Sequence, residues 1–204
     1  MGLSETRWIS TGKTILAIGE IVLYSGHQEE DSPHTEGVAF MMTKEASKAL
    51  ISWEPIISRI ITASFQTKQS RIKANLIQCY APTNDAEESD KENFYNTLNT
   101  ILNQQNENDL TILMGDCNAI VGYNNTGYEQ TMGRHGIGQM NKNGEKFDEL
   151  CANNKFVIGG SIFTHKRIHK ATWVSPDHIT ENQIDHFCIY KKFRRSLHDV
   201  CVKR

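Results

Sequence analysis

The sequence predicts an α/β sandwich, with a few helices flanking packed sheets. Three observations predict it: many short apolar runs of strand length, two stretches with helical spacing, and no regular strand-helix-strand alternation of the kind that builds a parallel sheet. The strand-sized runs are Glu20 to Tyr24, Val38 to Met42, Ile57 to Phe65, Ile72 to Tyr80, Leu110 to Met114, Ala171 to Val174 and Ile184 to Ile189. Most are rich in β-branched residues and are broken off by turn formers.

The first helix is predicted to begin at Ser89-Asp90-Lys91-Glu92, which fits a capping box, and to carry Phe94, Leu98, Ile101 and Leu102 on one face. The second follows Asn143-Gly144 and places Phe147, Leu150 and Cys151 at helical spacing. Between Gly122 and Gly144 no periodicity is visible. Clusters such as Asn124-Asn125-Thr126-Gly127 and Gly133-Arg134-His135-Gly136 mark turns there, and loops of that length are often functional.

At 204 residues and 38% hydrophobic content, the chain is expected to form one globular domain over 1–204. A net charge of -2 with 23% charged residues excludes charge-driven disorder and a globally basic polyanion binder, so contact with nucleic acid must come from local patches. Cys79, Cys117, Cys151, Cys188 and Cys201 are far apart and form no C-x-x-C pair. They read as reduced thiols, and zinc held by the cysteines is not expected because ligand pairs at short spacing are missing. No apolar run has the length of a membrane span, and the start lacks the apolar stretch of a secretion signal. The expected location is nuclear or cytoplasmic.

The strongest local feature is the apolar strand Leu110 to Met114 running into Gly115-Asp116-Cys117-Asn118. A rigid strand ending in a carboxylate and a carboxamide can aim both groups. The same residues also suit a plain Asx turn, and both readings stand at this point.

Further segments lie in the order of known motifs: Leu3-Ser4-Glu5-Thr6-Arg7-Trp8, Gly37-Val38-Ala39, Gln78-Cys79-Tyr80-Ala81-Pro82-Thr83-Asn84, Ala171-Thr172-Trp173 and Asn182-Gln183-Ile184-Asp185-His186-Phe187. With Met132 to Gly136 and His165 to Lys170 they cover nearly the whole chain. In these segments the sequence resembles the endonuclease/exonuclease/phosphatase superfamily, in particular the endonuclease domain of LINE retrotransposons of the RTE type.

The resemblance implies a DNase I-like fold, a four-layer sandwich of two mainly antiparallel sheets flanked by helices. It also implies magnesium-dependent hydrolysis of DNA phosphodiesters, with manganese as the alternative ion and no other cofactor, by a monomer without membrane contact. Glu5 would bind the ion, and Asp116 would position or deprotonate the attacking water. Asn118 would hold that water or the phosphate, Tyr80 would contact the scissile phosphate, and Asp185 would orient a catalytic histidine. Thr83, Lys166, Arg167 and Lys170 would contact the nucleic acid. The physical logic is that a hard cation on carboxylate oxygen stabilises charge on the phosphate oxygens, and magnesium, which keeps several waters, needs only one or two carboxylates.

Blander readings stand beside these: Glu5 as an ordinary charge, Tyr80 as a half-buried strand aromatic, Thr172 and Trp173 as core. Basic residues at His165 to Lys170, and again at Lys191, Lys192, Arg194 and Arg195, are either phosphate contacts or solvated charge.

Two elements of the superfamily pattern have no counterpart, an early strand with a metal-binding Asn and a closing Ser-Asp-His. The chain begins inside the next strand and stops at Lys203-Arg204. His186 is not expected to replace that histidine, since it follows Asp185 directly and alternates to the opposite strand face. The expectation is therefore a fragment with impaired cleavage. The alternatives are a non-catalytic remnant that binds DNA or protein, and a phosphatase of the same superfamily.

Overall fold

The computed structural model describes residues 1–27 and 34–203, so Arg204 lies outside the described residues. The chain divides into two compact units, Met1–Tyr80 with Gln105–Gly115, and Ala81–Gln104 with Asp116–Arg204.

In the first unit, the strands β1 (Gly2–Ser4), β2 (Gly12–Ile15), β3 (Ile21–Ser25) and β4 (Val38–Met42) form an antiparallel sheet in the order β1-β4-β3-β2. A single helical turn, α1 (Lys44–Ser47), is capped by the Thr43 hydroxyl, which accepts from the Ala46 amide. Next come β5 (Leu50–Ile57), β6 (Ile60–Gln66) and β7 (Lys73–Tyr80), and later β8 (Leu110–Asp116), whose last residue opens the second unit. Strands β5 to β8 neighbour one another in that order. The inner faces of the two sheets pack together. Ile21, Leu23, Val38, Phe40 and Met42 meet Ile61, Ala63 and Tyr80, and Trp53, Leu76 and Met114 close the rim.

Here the stretch Ile57 to Phe65, predicted as one strand, is corrected to the end of one strand, a turn and a second strand. Ser58 and Arg59 form a two-residue hairpin turn between β5 and β6. Polar residues recur through the run, at Thr62 and Ser64 as well as at Ser58 and Arg59, and it holds no Gly, Pro, Asn or Asp, so the pattern alone does not expose the turn. Pro55 sits in β5 beside a register shift, on the edge of the sheet, where a missing ladder donor is tolerated.

In the second unit lie α2 (Glu88–Asn103), α3 (Lys142–Asn153), β9 (Phe156–Ile158), β10 (Trp173–Val174), β11 (Glu181–Asn182) and β12 (Asp185–Tyr190). Strand β9 pairs antiparallel with β12, and β10 with β11. The predicted face of α2 is buried, with Phe94, Leu98, Ile101 and Leu102 inside. Its predicted capping box is not formed. The helix starts one residue earlier, from Glu87 without a side-chain cap, because Lys91 is drawn inside, donating to the Asn84 carbonyl and pairing with Glu88 at 2.8 Å.

Helix α3 also starts before its predicted position. Asn141 is the cap, its Oδ1 accepting from the Gly144 amide at 2.7 Å, so Asn143 and Gly144 fall in the first turn. A Cβ at Gly144 would stand 2.1 Å from the Ile120 carbonyl oxygen, so only glycine fits this close approach. Trp173, expected in the core, is 41% exposed, because β10 is a two-residue ribbon paired only to β11 among the described residues. Among the described residues no helix is long and apolar enough to cross a membrane.

Candidate functional site

The second unit assembles the loop that carries Asp116 and Asn118. Gly115, just before it, has φ +141, and a Cβ there would lie 1.9 Å from the Cys79 carbonyl oxygen, so glycine is required for the strand to end at this point. Asp116 then accepts the Asn118 amide on Oδ1 at 2.9 Å, closing an Asx turn. Asn118 is left-handed at φ +46, a conformation that asparagine tolerates better than most residues. Its Nδ2 donates to the Ala81 carbonyl at 2.9 Å, which orients the carboxamide. The turn reading and the functional reading are thus compatible: the turn is what aims the two side chains.

Two backbone bonds and two asparagines hold this loop. Ala81 donates its amide to the Asp116 carbonyl at 2.8 Å, and Cys117 donates to the Ile184 carbonyl at 2.9 Å. Ile120 donates to Asn141 Oδ1 at 3.0 Å. Asn143, fully buried, donates Nδ2 to both the Pro82 and the Asn118 carbonyls, at 2.9 and 3.2 Å. The segments bearing Thr83, Asp116 with Asn118, and Asp185 are thereby fastened together. In the sequence Asn141 and Asn143 stand out only as turn formers. Their signal as site supports is their approach to Asn118 across more than twenty residues of chain, which only the fold reveals.

Asp185 opens β12 and is exposed. Its amide and that of Ile184 both donate to the Thr172 hydroxyl, at 3.1 and 3.0 Å, so Thr172 positions Asp185 rather than filling the core as expected. His186 faces the other way, as strand alternation predicts. It is 4% exposed, stacks on Phe147 with centroids 5.2 Å apart, and its Nε2 meets the Ala119 carbonyl at 2.7 Å. Since a carbonyl only accepts, Nε2 carries the proton. Burial pushes the His186 pKa down to about 4, so it is a neutral structural post.

The first unit holds Glu5 and Tyr80. Glu5 follows β1, is exposed, and has φ +53, a strained value for a non-glycine residue. The preceding Ser4 hydroxyl donates to the Cys79 carbonyl at 3.3 Å and accepts from Gln78 Nε2 at 3.0 Å, so Glu5 and Tyr80 leave two strands tied side by side. The next residues dock through Thr6 and Arg7 amides on the Gly37 and Glu36 carbonyls, at 3.1 and 2.7 Å.

Tyr80 is 8% exposed, in the core cluster, with the Arg59 guanidinium 5.0 Å from its ring centroid. Arg59 pairs with Glu36 at 2.8 Å, Glu36 also takes the Ser58 hydroxyl, and His27 lies 3.6 Å from it. Glu36 belongs to no segment that the sequence singles out, and Arg59 only to the run Ile57 to Phe65, read there as strand.

Over 197 residues, 97% of its length, the chain is 32% identical to craniofacial development protein 2 of Bos taurus. It spans about a third of the length of the curated relatives it matches. No family model matches it. Among solved structures, it superposes on the endonuclease domain of TRAS1, a telomere-specific non-LTR retrotransposon, with a TM-score of 0.55 and 11% identity over 84% of this chain and 68% of that one. An endonuclease/exonuclease/phosphatase family protein from Leptotrichia buccalis C-1013-b superposes with a TM-score of 0.53 and 14% identity over 85% of this chain and 60% of that one.

The chain has the endonuclease/exonuclease/phosphatase fold.

This DNase I-like fold has two mainly antiparallel sheets with helices, as the sequence predicts. On it, the residues expected to touch nucleic acid differ in how much of each remains available. Thr83 and Lys166 are exposed. Arg167 is exposed but paired with Glu181 at 2.8 Å. Lys170 is half-buried, gives its ammonium to the His135 carbonyl, and has its pKa pushed down by burial. As for a metal, Glu5 offers an exposed carboxylate, a hard oxygen donor of the kind that fits magnesium, an ion that takes one or two carboxylates and keeps several waters.

Proposed function

We propose that this chain is a metal-dependent endonuclease of retrotransposon origin that hydrolyses phosphodiester bonds in DNA, with magnesium or, in its place, manganese. The observation that carries the reading is the Gly115-Asp116-Cys117-Asn118 loop, whose carboxylate and carboxamide are aimed by a required glycine and by the Ala81 and Ile184 contacts. The relatives and the fold support it.

When bound, the ion offsets the negative charge that builds on the phosphate oxygens. Glu5 holds it through an exposed carboxylate. Asp116 positions the attacking water and takes its proton, a role worth about 10²- to 10⁴-fold in rate. Asn118 holds that water or a phosphate oxygen, and Tyr80 contacts the scissile phosphate from the end of β7. Asp185 orients a catalytic imidazole, which is not His186, whose Nε2 is committed to Ala119. Thr83, Lys166, Arg167 and Lys170 hold the DNA backbone. A monomer in nucleus or cytoplasm suits five cysteines of which none joins a disulfide.

Incubation with supercoiled plasmid and magnesium tests this. Nicked circles that require the ion and vanish in Asp116→Ala support it. Salt-dependent DNA binding with no nicking under either ion would replace it with a binding role, and phosphate release from a phosphoinositide would replace it with a phosphatase.

A further inference from the structure

His165 meets Asp199 and Cys201 in the second unit, 34 residues before Asp199 in the chain but close to it in the fold. His165 Nε2 lies 2.6 Å from Asp199 Oδ1, and these atoms and Cys201 Sγ all lie within 4.8 Å of one another. Two further bonds hold the same segments in register: the Val202 amide donates to the His169 carbonyl at 2.8 Å, and His169 Nδ1 lies 3.3 Å from the Val202 carbonyl oxygen. Among the described residues this is the only group of three such side chains with ligand atoms this close.

We propose that His165, Asp199 and Cys201 form a second metal site, one that takes a zinc-class ion and clips the 199–202 segment to the basic run at 165–170. The donor set decides the ion. Thiolate, imidazole and carboxylate together are a borderline-soft set that suits zinc and excludes magnesium, which requires oxygen.

The spacing also fits. A tetrahedral ion with bonds of about 2.0–2.1 Å to nitrogen, about 2.0–2.2 Å to oxygen and about 2.3 Å to sulfur sets its ligand atoms about 3.3 to 3.6 Å apart. Opening the 2.6 Å histidine-aspartate contact and drawing in the sulfur needs side-chain shifts of about 1 Å. Water completes the coordination, since the site is exposed on Asp199 and Cys201. Binding displaces the proton between His165 and Asp199 and the thiol proton, so affinity rises with pH.

The cysteines do not form pairs with one another, which is why they give no zinc signal in the sequence. The pair is Asp199 with Cys201, two residues apart, completed by a histidine from another segment.

The site is independent of the nuclease reading, and its test needs no activity. The whole chain is titrated with cobalt as a spectroscopic probe and with zinc by calorimetry, in wild type, Cys201→Ser, His165→Gln, Glu5→Gln and Asp116→Ala. One ion per chain is expected, with a thiolate-to-cobalt absorption band that Cys201→Ser abolishes. Zinc affinity falls by about a hundredfold in Cys201→Ser and His165→Gln, since even outer partners of metal ligands are worth about 10- to 100-fold. Glu5→Gln and Asp116→Ala bind zinc as wild type does. Cys201 is exposed, so its serine variant retains the wild-type melt without metal. Cobalt binding without a thiolate band, no binding, or undiminished zinc affinity in Cys201→Ser would overturn the proposal.

Discussion

Asn118 donates its carboxamide nitrogen to the Ala81 carbonyl at 2.9 Å while holding a left-handed backbone at φ +46. Two substitutions separate these features. Asn118→Ala loses the hydrogen bond, about 1 kcal/mol, and adds left-handed strain of about 1 kcal/mol more. Asn118→Gly loses only the bond. Urea melts should therefore rank wild type above glycine and glycine above alanine, while both variants lose plasmid nicking alike.

Gly115 is the other fixed point of that loop. With φ +141 and any added Cβ falling 1.9 Å from the Cys79 carbonyl oxygen, Gly115→Ala must move β7 or β8 backbone. The expected cost is about 3 kcal/mol or more, at the severe end for a single substitution. A urea midpoint within error of wild type would contradict the close approach.

His186 makes stability depend on pH. Its folded pKa of about 4 lies below the unfolded value of 6.5, so the unfolded chain binds the proton more readily between those limits. The stability is fully present above pH 6.5 and is lost as pH falls toward 4, by up to about 3 kcal/mol. Asp148, whose pKa burial raises, works with the opposite sign. The comparison is therefore made within a pair: His186→Gln, which keeps a donor toward Ala119, should flatten the melt profile across this window relative to wild type.

Thr172 holds the Ile184 and Asp185 amides through one hydroxyl. Thr172→Val keeps the shape and removes the acceptor, costing about 1 to 3 kcal/mol at two amides. Nicking should slow by about tenfold or more through a displaced Asp185, with plasmid affinity unchanged in a filter-binding assay.

The basic run divides by partner. Lys166→Ala should weaken DNA binding and lower the slope of log affinity against log salt by about 1. Lys170→Ala should weaken DNA binding and in addition lower the melting temperature, because its ammonium also holds the His135 carbonyl. Salt titrations of binding, paired with thermal melts, distinguish the two.

These residues also show how far the sequence can be read. The Gly115 to Asn118 loop is legible because a buried strand ending in Gly-Asp announces itself locally, and the alternation that turns His186 inward follows from a period of two. Thr172 reads as core because its role lies in two amides that come to it from twelve and thirteen residues further on. Asn143 looks like the residue before a helix, and only the closeness of Gly144 to Ile120 places it inside the first turn, beneath Asn118. Arg59 is lost within an apolar run that is in fact a hairpin, and with it the ion pair to Glu36 beside Tyr80. What the sequence hides depends on long-range pairing, to which local patterns are blind.

In the proposed reaction Glu5 and Asp116 serve the same hydrolysis. Magnesium-dependent nicking rates for Glu5→Gln, Asp116→Asn and the double variant test it most directly, with matched melts to show that each is folded. Groups acting in one step are not additive. Each single variant should lose about 10²-fold or more, and the double variant should be no slower than the worse single one. Wild-type rates in either single variant, or losses that multiply in the double variant, would contradict it.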